Sequence, residues 1–202
     1  MGVKNQPALH HPEKGDTIKV DPIKSIKDIA NIKKLLADNP RNLAIFTLGI
    51  NTNLRASDIL KITVGQVKHL KAGEHFTMKE KKTDKQRTIT VNQSVYEAIQ
   101  KALAIIPDAA DSEPLFQSRK GGKALCVPYL NGLVKGWCED INLKGNYGSH
   151  TLRKTFGYIH RTVFNTDLPT LMHMFNHSSQ KQTLAYLGIQ PEEIKDAYLK
   201  EI

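Results

Sequence analysis

Between His75 and Val91 the chain changes its apolar period. In EHFTMKEKKTDKQRTITVN, Phe76 and Met78 alternate with His75, Thr77 and Lys79, and Ile89 and Val91 alternate with Thr88 and Thr90, on either side of a polar turn at Thr83-Asp84. Period-two alternation folded back about such a turn predicts an antiparallel β-hairpin. Around it the apolar residues fall at helical spacing. SIKDIANIKKLLADNP sets Ile26, Ile29, Ile32, Leu35 and Leu36 behind Ser25, with Asp28 three residues on, and stops at Asn39-Pro40, as a capped amphipathic helix does. RNLAIFTLGINTN is apolar all round and predicts a buried helix. LRASDILKI reads as a short helix with Ser57 and Asp58 near its start, and SVYEAIQKALAII as a longer one. PLFQSRKGGKAL reads as a loop with a short extended segment, and helices fill most of 127–200. The simplest partition is one mainly α domain carrying a small antiparallel β-hairpin.

With 202 residues, 40% of them hydrophobic, the chain is long enough for one well-buried core. Residues 1–21 are polar and irregular, with Pro7, Pro12 and Gly15, and read as a flexible tail or the remnant of a linker, so the domain is expected over 22–202. The first residues hold no apolar signal region and no long apolar window follows, which argues against secretion and membrane spanning and for the cytoplasm. Cys126 and Cys138 are too few for a disulfide framework and are expected to be buried, reduced thiols.

Charge speaks about partners. The formal net charge is +9. Eight basic side chains face three acidic ones between Lys61 and Arg87, and eight face two between Arg119 and Arg161, whereas the last fifteen residues are net acidic. Two basic segments brought onto one face would make a phosphate-backbone footprint.

No phosphate-binding glycine loop, dinucleotide fingerprint, nucleophile elbow or HExxH pair occurs. What remains is cationic. SHTLRKTF spaces His150 and Arg153 three apart, so a helix beginning near Ser149 would turn both to one side of its first turn, where free N–H groups also favour an anion. TNLRASD puts Arg55 at a helix start with Asp58 three residues on, to pair with it or cap the turn. The hairpin tip carries Lys81, Lys82 and Lys85. His173 and His177 are four apart but lack further ligands nearby in sequence, so no metal site is implied. Taken alone, Tyr186 in NHSSQKQTLAYLGI reads as a core aromatic.

The order of these elements changes that reading. Arg55 in NTNLRASD, the hairpin lysine in KTDKQRTITV, His150 and Arg153 in HTLR, and His177, Thr183 and Tyr186 in FNHSSQKQTLAY resemble, box by box, the catalytic domain of the tyrosine recombinases, the phage integrase family. The resemblance runs from about residue 22 to the end. The family patterns are G-x-R-x-[SG]-[DE], with Asp58 as the associated carboxylate; K-[TG]-x-K-x-R-x-[VI]-P; H-x-L-R; and L-G-H-S-x-x-x-T-x-x-Y. The lysine falls on Lys82, with Lys81 and Lys85 close enough to leave the choice open. This chain departs at Phe175-Asn176, where Leu-Gly is usual, at Thr90, where proline is common, and at Lys154, where histidine is common. Most members also carry a separate helical domain ahead of the catalytic one, so the chain reads either as a catalytic fragment or as one of the short, catalytic-domain-only members.

The resemblance implies a site-specific recombinase or integrase that cleaves and rejoins double-stranded DNA through a 3′-phosphotyrosyl intermediate, without metal or other cofactor. Alternatives are a topoisomerase-like cleaver and a DNA-binding module. It implies Tyr186 as nucleophile, Arg55 and Arg153 as phosphate ligands, His150 as proton acceptor, His177 as a hydrogen-bond donor to a phosphate oxygen, and Lys82 as the acid for the leaving 5′-oxygen. It also implies tetramers on DNA, with residues 189–202 forming a helix that docks either on a neighbour or as a lid on its own chain.

Overall fold

The computed structural model describes residues 20–79, 86–118, 122–187, 195 and 198–201. The fold is mainly helical, with one two-stranded antiparallel sheet among the described residues. α1 (Ile26–Leu35) starts as expected: the Ser25 hydroxyl accepts from the Asp28 N–H at 3.3 Å, and Lys33 and Lys34 sit at the negative end of the helix dipole. It stops earlier than the sequence suggests. Asn39-Pro40 is the start signal of α2 (Pro40–Asn51) rather than the end of α1: the Asn39 side chain accepts from the Asn42 N–H at 3.2 Å, and Pro40 takes a first-turn position where its missing N–H costs nothing.

α2 packs against α1, α5 (Gln93–Ala104) and α7 (Ser149–Thr162), and α7 also meets α6 (Val127–Asp140), so α2 and α7 form the middle of the domain. Their close approach needs Gly49, where an added Cβ would stand 2.5 Å from Leu152 Cδ1. The main core gathers around this crossing, with Phe46 set edge-on to Trp137 at 6.0 Å between centroids. The short helices α3 (Ala56–Ile59) and α4 (Val64–Val67) follow α2, and α4 has no counterpart in the sequence reading. Its four residues are too few to show a helical period, although Thr63 and Gln66 cap it reciprocally.

The hairpin forms as expected from β1 (His75–Lys79) and β2 (Gln86–Thr90), in a register that pairs Phe76 with Ile89 and Met78 with Arg87. The expected turn and its lysines, Lys82 included, lie outside the described residues, as do the tail before residue 20 and most of the acidic C-terminal segment. Around PLFQSRKGGKAL the extended segment appears as isolated bridges from Thr63 to Pro114 and from Gln117 to Ala124. α8 (Leu168–Phe175) and α9 (Gln180–Leu187) close the described fold over a second, smaller core of Phe156, Leu171 and Phe175, against which Tyr186 and Leu187 pack.

The cysteines divide. Cys138 is fully buried, and burial, followed by the nearby Glu139, pushes its thiol up to about 12. Cys126 is exposed, contrary to expectation, because it stands just ahead of α6 rather than on that helix's inward stripe. No described helix is long and apolar enough to cross a membrane.

Candidate active site

Four chain segments meet where α7, α8 and α9 close on the loop after α2. Arg55 is the residue ahead of α3, in extended backbone, and its Nη1 lies 3.9 Å from Oδ2 of the fully buried Asp58 carboxylate. Of the two roles open to Asp58, the structure shows the pairing. A buried anion beneath a partly exposed guanidinium restrains where the fork points.

Arg153 enters from α7 and is only 4% exposed. Its Nη1 donates to the Asn53 carbonyl at 2.6 Å and its Nη2 to the Phe175 carbonyl at 3.1 Å, while the guanidinium lies over the Phe175 ring, 5.0 Å from its centroid. One side chain therefore ties together the loop that carries Arg55 and the end of α8 that leads into His177. His150 stands a turn earlier on α7 and is exposed. The first turn of α7 is not an open anion site at Ser149, whose N–H is taken by Asn131 Oδ1 at 2.9 Å.

His177 follows α8 directly. Its ring stacks on Phe175, with centroids 5.1 Å apart at 24°, and stands edge-on to Tyr186 at 5.7 Å. Its Nδ1 is 3.0 Å from the hydroxyl of Thr183, itself fully buried on α9, so the motif threonine sets the orientation of the motif histidine. Tyr186 lies on the same helix. Its hydroxyl oxygen is buried without a well-formed hydrogen bond. Burial raises the phenol above its ordinary value of 10.0, and the charges of Arg153 and Arg55 pull the other way. A buried phenol facing two guanidiniums is poised for a ligand that brings negative charge and its own hydrogen-bonding atoms.

Arg55, Arg153, His177 and Tyr186 thus come together, and His150 stands exposed on the first turn of α7. Lys82 lies outside the described residues. Sequence reasoning gave no role to Asn53 or to Arg87, although Arg87 falls on the arginine of the hairpin pattern. Asn53, two residues before Arg55, has φ +55, and so does Asn176, one residue before His177. Both stand where the family patterns carry glycine, and asparagine is the side-chain-bearing residue that best tolerates this left-handed backbone. The departure at Asn176 therefore keeps the required conformation. Among the described residues, no group of three or more His, Cys, Asp or Glu could hold a metal ion.

A family model described as the phage integrase family matches residues 17–193. Over 180 residues the chain is 34% identical to a protein of Bacillus subtilis (strain 168) named as a probable integrase/recombinase, YoeC, covering 89% of this chain and 95% of that one. It is 32% identical over 176 residues to the tyrosine recombinase XerC of Caldanaerobacter subterraneus subsp. tengcongensis, covering 83% of this chain but 48% of the relative, so it spans about half of that protein. Among solved structures, XerA recombinase superposes with a TM-score of 0.71 at 15% identity, over 94% of this chain and 65% of XerA. XerH site-specific recombinase, in a post-cleavage complex with its palindromic difH substrate, superposes at 0.72 and 18%, over 92% and 53%. At these identities the structural likeness speaks for the fold.

Proposed function

The chain belongs to the phage integrase family, and on that premise we propose that it is a site-specific DNA recombinase whose nucleophile is Tyr186. The observation that carries the proposal is the buried Tyr186 hydroxyl, which feels the Arg153 and Arg55 charges and whose ring lies beside that of His177.

The chemistry follows from those groups. The Tyr186 oxygen attacks a DNA phosphorus and forms a P–O bond, while the bond to the 5′-oxygen breaks on the opposite side. Negative charge grows on the non-bridging oxygens, where Arg55 and Arg153 supply fixed positive charge; removing one donor of this kind typically costs ~10²–10³ in rate. The phenol proton passes to His150, and the leaving 5′-oxygen takes a proton from Lys82. His177 hydrogen-bonds a non-bridging oxygen, its ring held by Thr183 and Phe175. The product is a 3′-phosphotyrosyl bond and a free 5′-hydroxyl. Attack by a 5′-hydroxyl from a second strand reverses the step and rejoins strands without another energy source. Exchange of both strands at two sites takes a nucleophile for each cut, which argues for a tetramer on DNA. Double-stranded DNA is the partner, and the cytoplasm the place of action.

The test uses nicked duplexes taken from the DNA flanking the protein's own coding sequence, which trap the covalent adduct once the short strand diffuses away. The parent chain forms a protein–DNA band that survives denaturation, and Tyr186→Phe forms none while still binding DNA in a salt-sensitive way. A covalent band from Tyr186→Phe would move the nucleophile elsewhere, and cleavage without strand transfer would favour a topoisomerase-like activity.

A further inference from the structure

Arg87 is a motif residue to which the cleavage chemistry gives no task. Its place on β2 is unusual for a cation. Successive side chains on a strand face opposite ways, so Arg87 shares a face with the buried Ile89 and Val91 and stands opposite the buried Met78. Turning a guanidinium inward costs desolvation unless a hydrogen-bond acceptor meets it. Here the acceptor is the Met174 carbonyl, bonded by Arg87 Nη2.

That carbonyl belongs to the end of α8. The last carbonyls of a helix have no partner within it. Two of those on α8 are satisfied by the local backbone: the His177 N–H reaches Met172 at 3.0 Å and the Asn176 N–H reaches His173 at 2.9 Å, the pattern of a Schellman cap with Asn176 left-handed. The next two are satisfied by side chains from distant segments. Met174 accepts from Arg87 and from Asn53 Nδ2, the latter at 2.9 Å, and Phe175 accepts from Arg153. The residue that leaves this cap is His177.

We propose that Arg87 is a positioning residue: by holding the C-terminal end of α8 to strand β2 it sets His177 against the DNA phosphate. A cation here also suits the negative end of the helix dipole, and the bond is charge-assisted. Asn53 shares the same carbonyl from the loop that carries Arg55, so the hairpin, that loop and Arg153 converge on the final turn of the helix that leads into His177. The competing role for Arg87 is as a phosphate ligand itself, since it lines a cleft of about 470 Å³ with Thr88, His173 and Asn176. The proposal rests on the role of His177 as a phosphate ligand.

The experiment is a double-mutant cycle on the full chain. Single-turnover adduct formation on the nicked flanking-DNA duplexes is measured for the parent, Arg87→Met, His177→Ala and the double variant, with DNA affinity at several salt concentrations. Arg87→Met is expected to slow cleavage about 10- to 100-fold, as misplacement of a catalytic group by ~1 Å does, with affinity and its salt slope unchanged. The double variant is expected to be within about twofold of His177→Ala, because Arg87 acts through that histidine. Arg87→Lys, which keeps a charged donor, should recover most of the rate. Multiplicative single effects would overturn the proposal and leave the function standing. Weaker binding with a salt slope reduced by about one charge would overturn it in favour of phosphate contact. Parent-rate cleavage by His177→Ala would overturn it together with the role given to His177. Should Arg87→Met not fold, Arg87→Gln takes its place in the same cycle, and each outcome keeps its meaning.

Discussion

Gly157→Ala is expected to separate catalysis from stability. Gly157 lies on α7, where α8 and α9 close down, and a Cβ there would stand 2.4 Å from Leu187 Cδ2 and 2.8 Å from Phe175 Cζ. Ordinary contact begins at 3.4 Å, so Leu187 must retreat by about 1 Å and the Phe175 ring by somewhat more than half that. The Leu187 side chain can bend, but the Phe175 ring is fully buried and sits beneath Arg153, His177 and Tyr186. Overpacking of this size costs ~1–3 kcal/mol, offset by the ~1 kcal/mol that alanine contributes over glycine within a helix. A net loss near 1 kcal/mol lowers Tm by only about 2–4 °C in a domain of this size. Cleavage should suffer far more, by about 100-fold, because the displaced residue adjoins Tyr186 and the displaced ring stacks on His177. Single-turnover adduct formation and thermal melting read the two effects on one preparation. Gly132→Ala on α6, where a new Cβ meets nothing within 4 Å, is the control and should melt slightly higher with unchanged activity. Parent-rate adduct formation by Gly157→Ala would refute the reasoning, since α9 could not then be seated on Gly157 in the cleaving state.

The two arginines should respond differently to lysine. Arg153→Lys cannot reach the Asn53 and Phe175 carbonyls together, so a buried acceptor is left unpaired at ~1–3 kcal/mol, and both Tm and cleavage fall; Arg55→Lys, at a partly exposed position, should slow cleavage with Tm nearly kept. The pH dependence of stability should carry a contribution from His160, set between Phe156 and Phe164, whose burial lowers its pKa below the ordinary 6.5. The folded state prefers the neutral ring, so this contribution is complete above about pH 6.5 and is lost as pH falls through the lower folded value. Melting curves should show His160→Gln less sensitive to acid than the parent between pH 7 and 5, and equal sensitivity would discard the assignment.

Local chemistry is legible along the chain. The Ser25 cap, the hairpin between His75 and Val91, the helix opening at Ser149 and the helix bearing Tyr186 each rest on residues within a few positions of one another, where period and capping speak directly. The order of the motif boxes, from Arg55 to Tyr186, points to the family for the same reason: each box is a short local string. Asn39-Pro40 reads as a stop although it is a start, because the pair is compatible with either until the Asn42 N–H is seen to be capped. What stays hidden depends on contacts across the chain. Arg153 bonding a carbonyl 100 residues away, Arg87 facing inward to the end of α8, and Gly157 making room for Leu187 all follow from how α7, α8, α9 and β2 cross. A sequence records which donors and acceptors exist. Which of them meet is decided by packing, because a buried carbonyl must find a donor wherever the fold brings one, however distant along the chain.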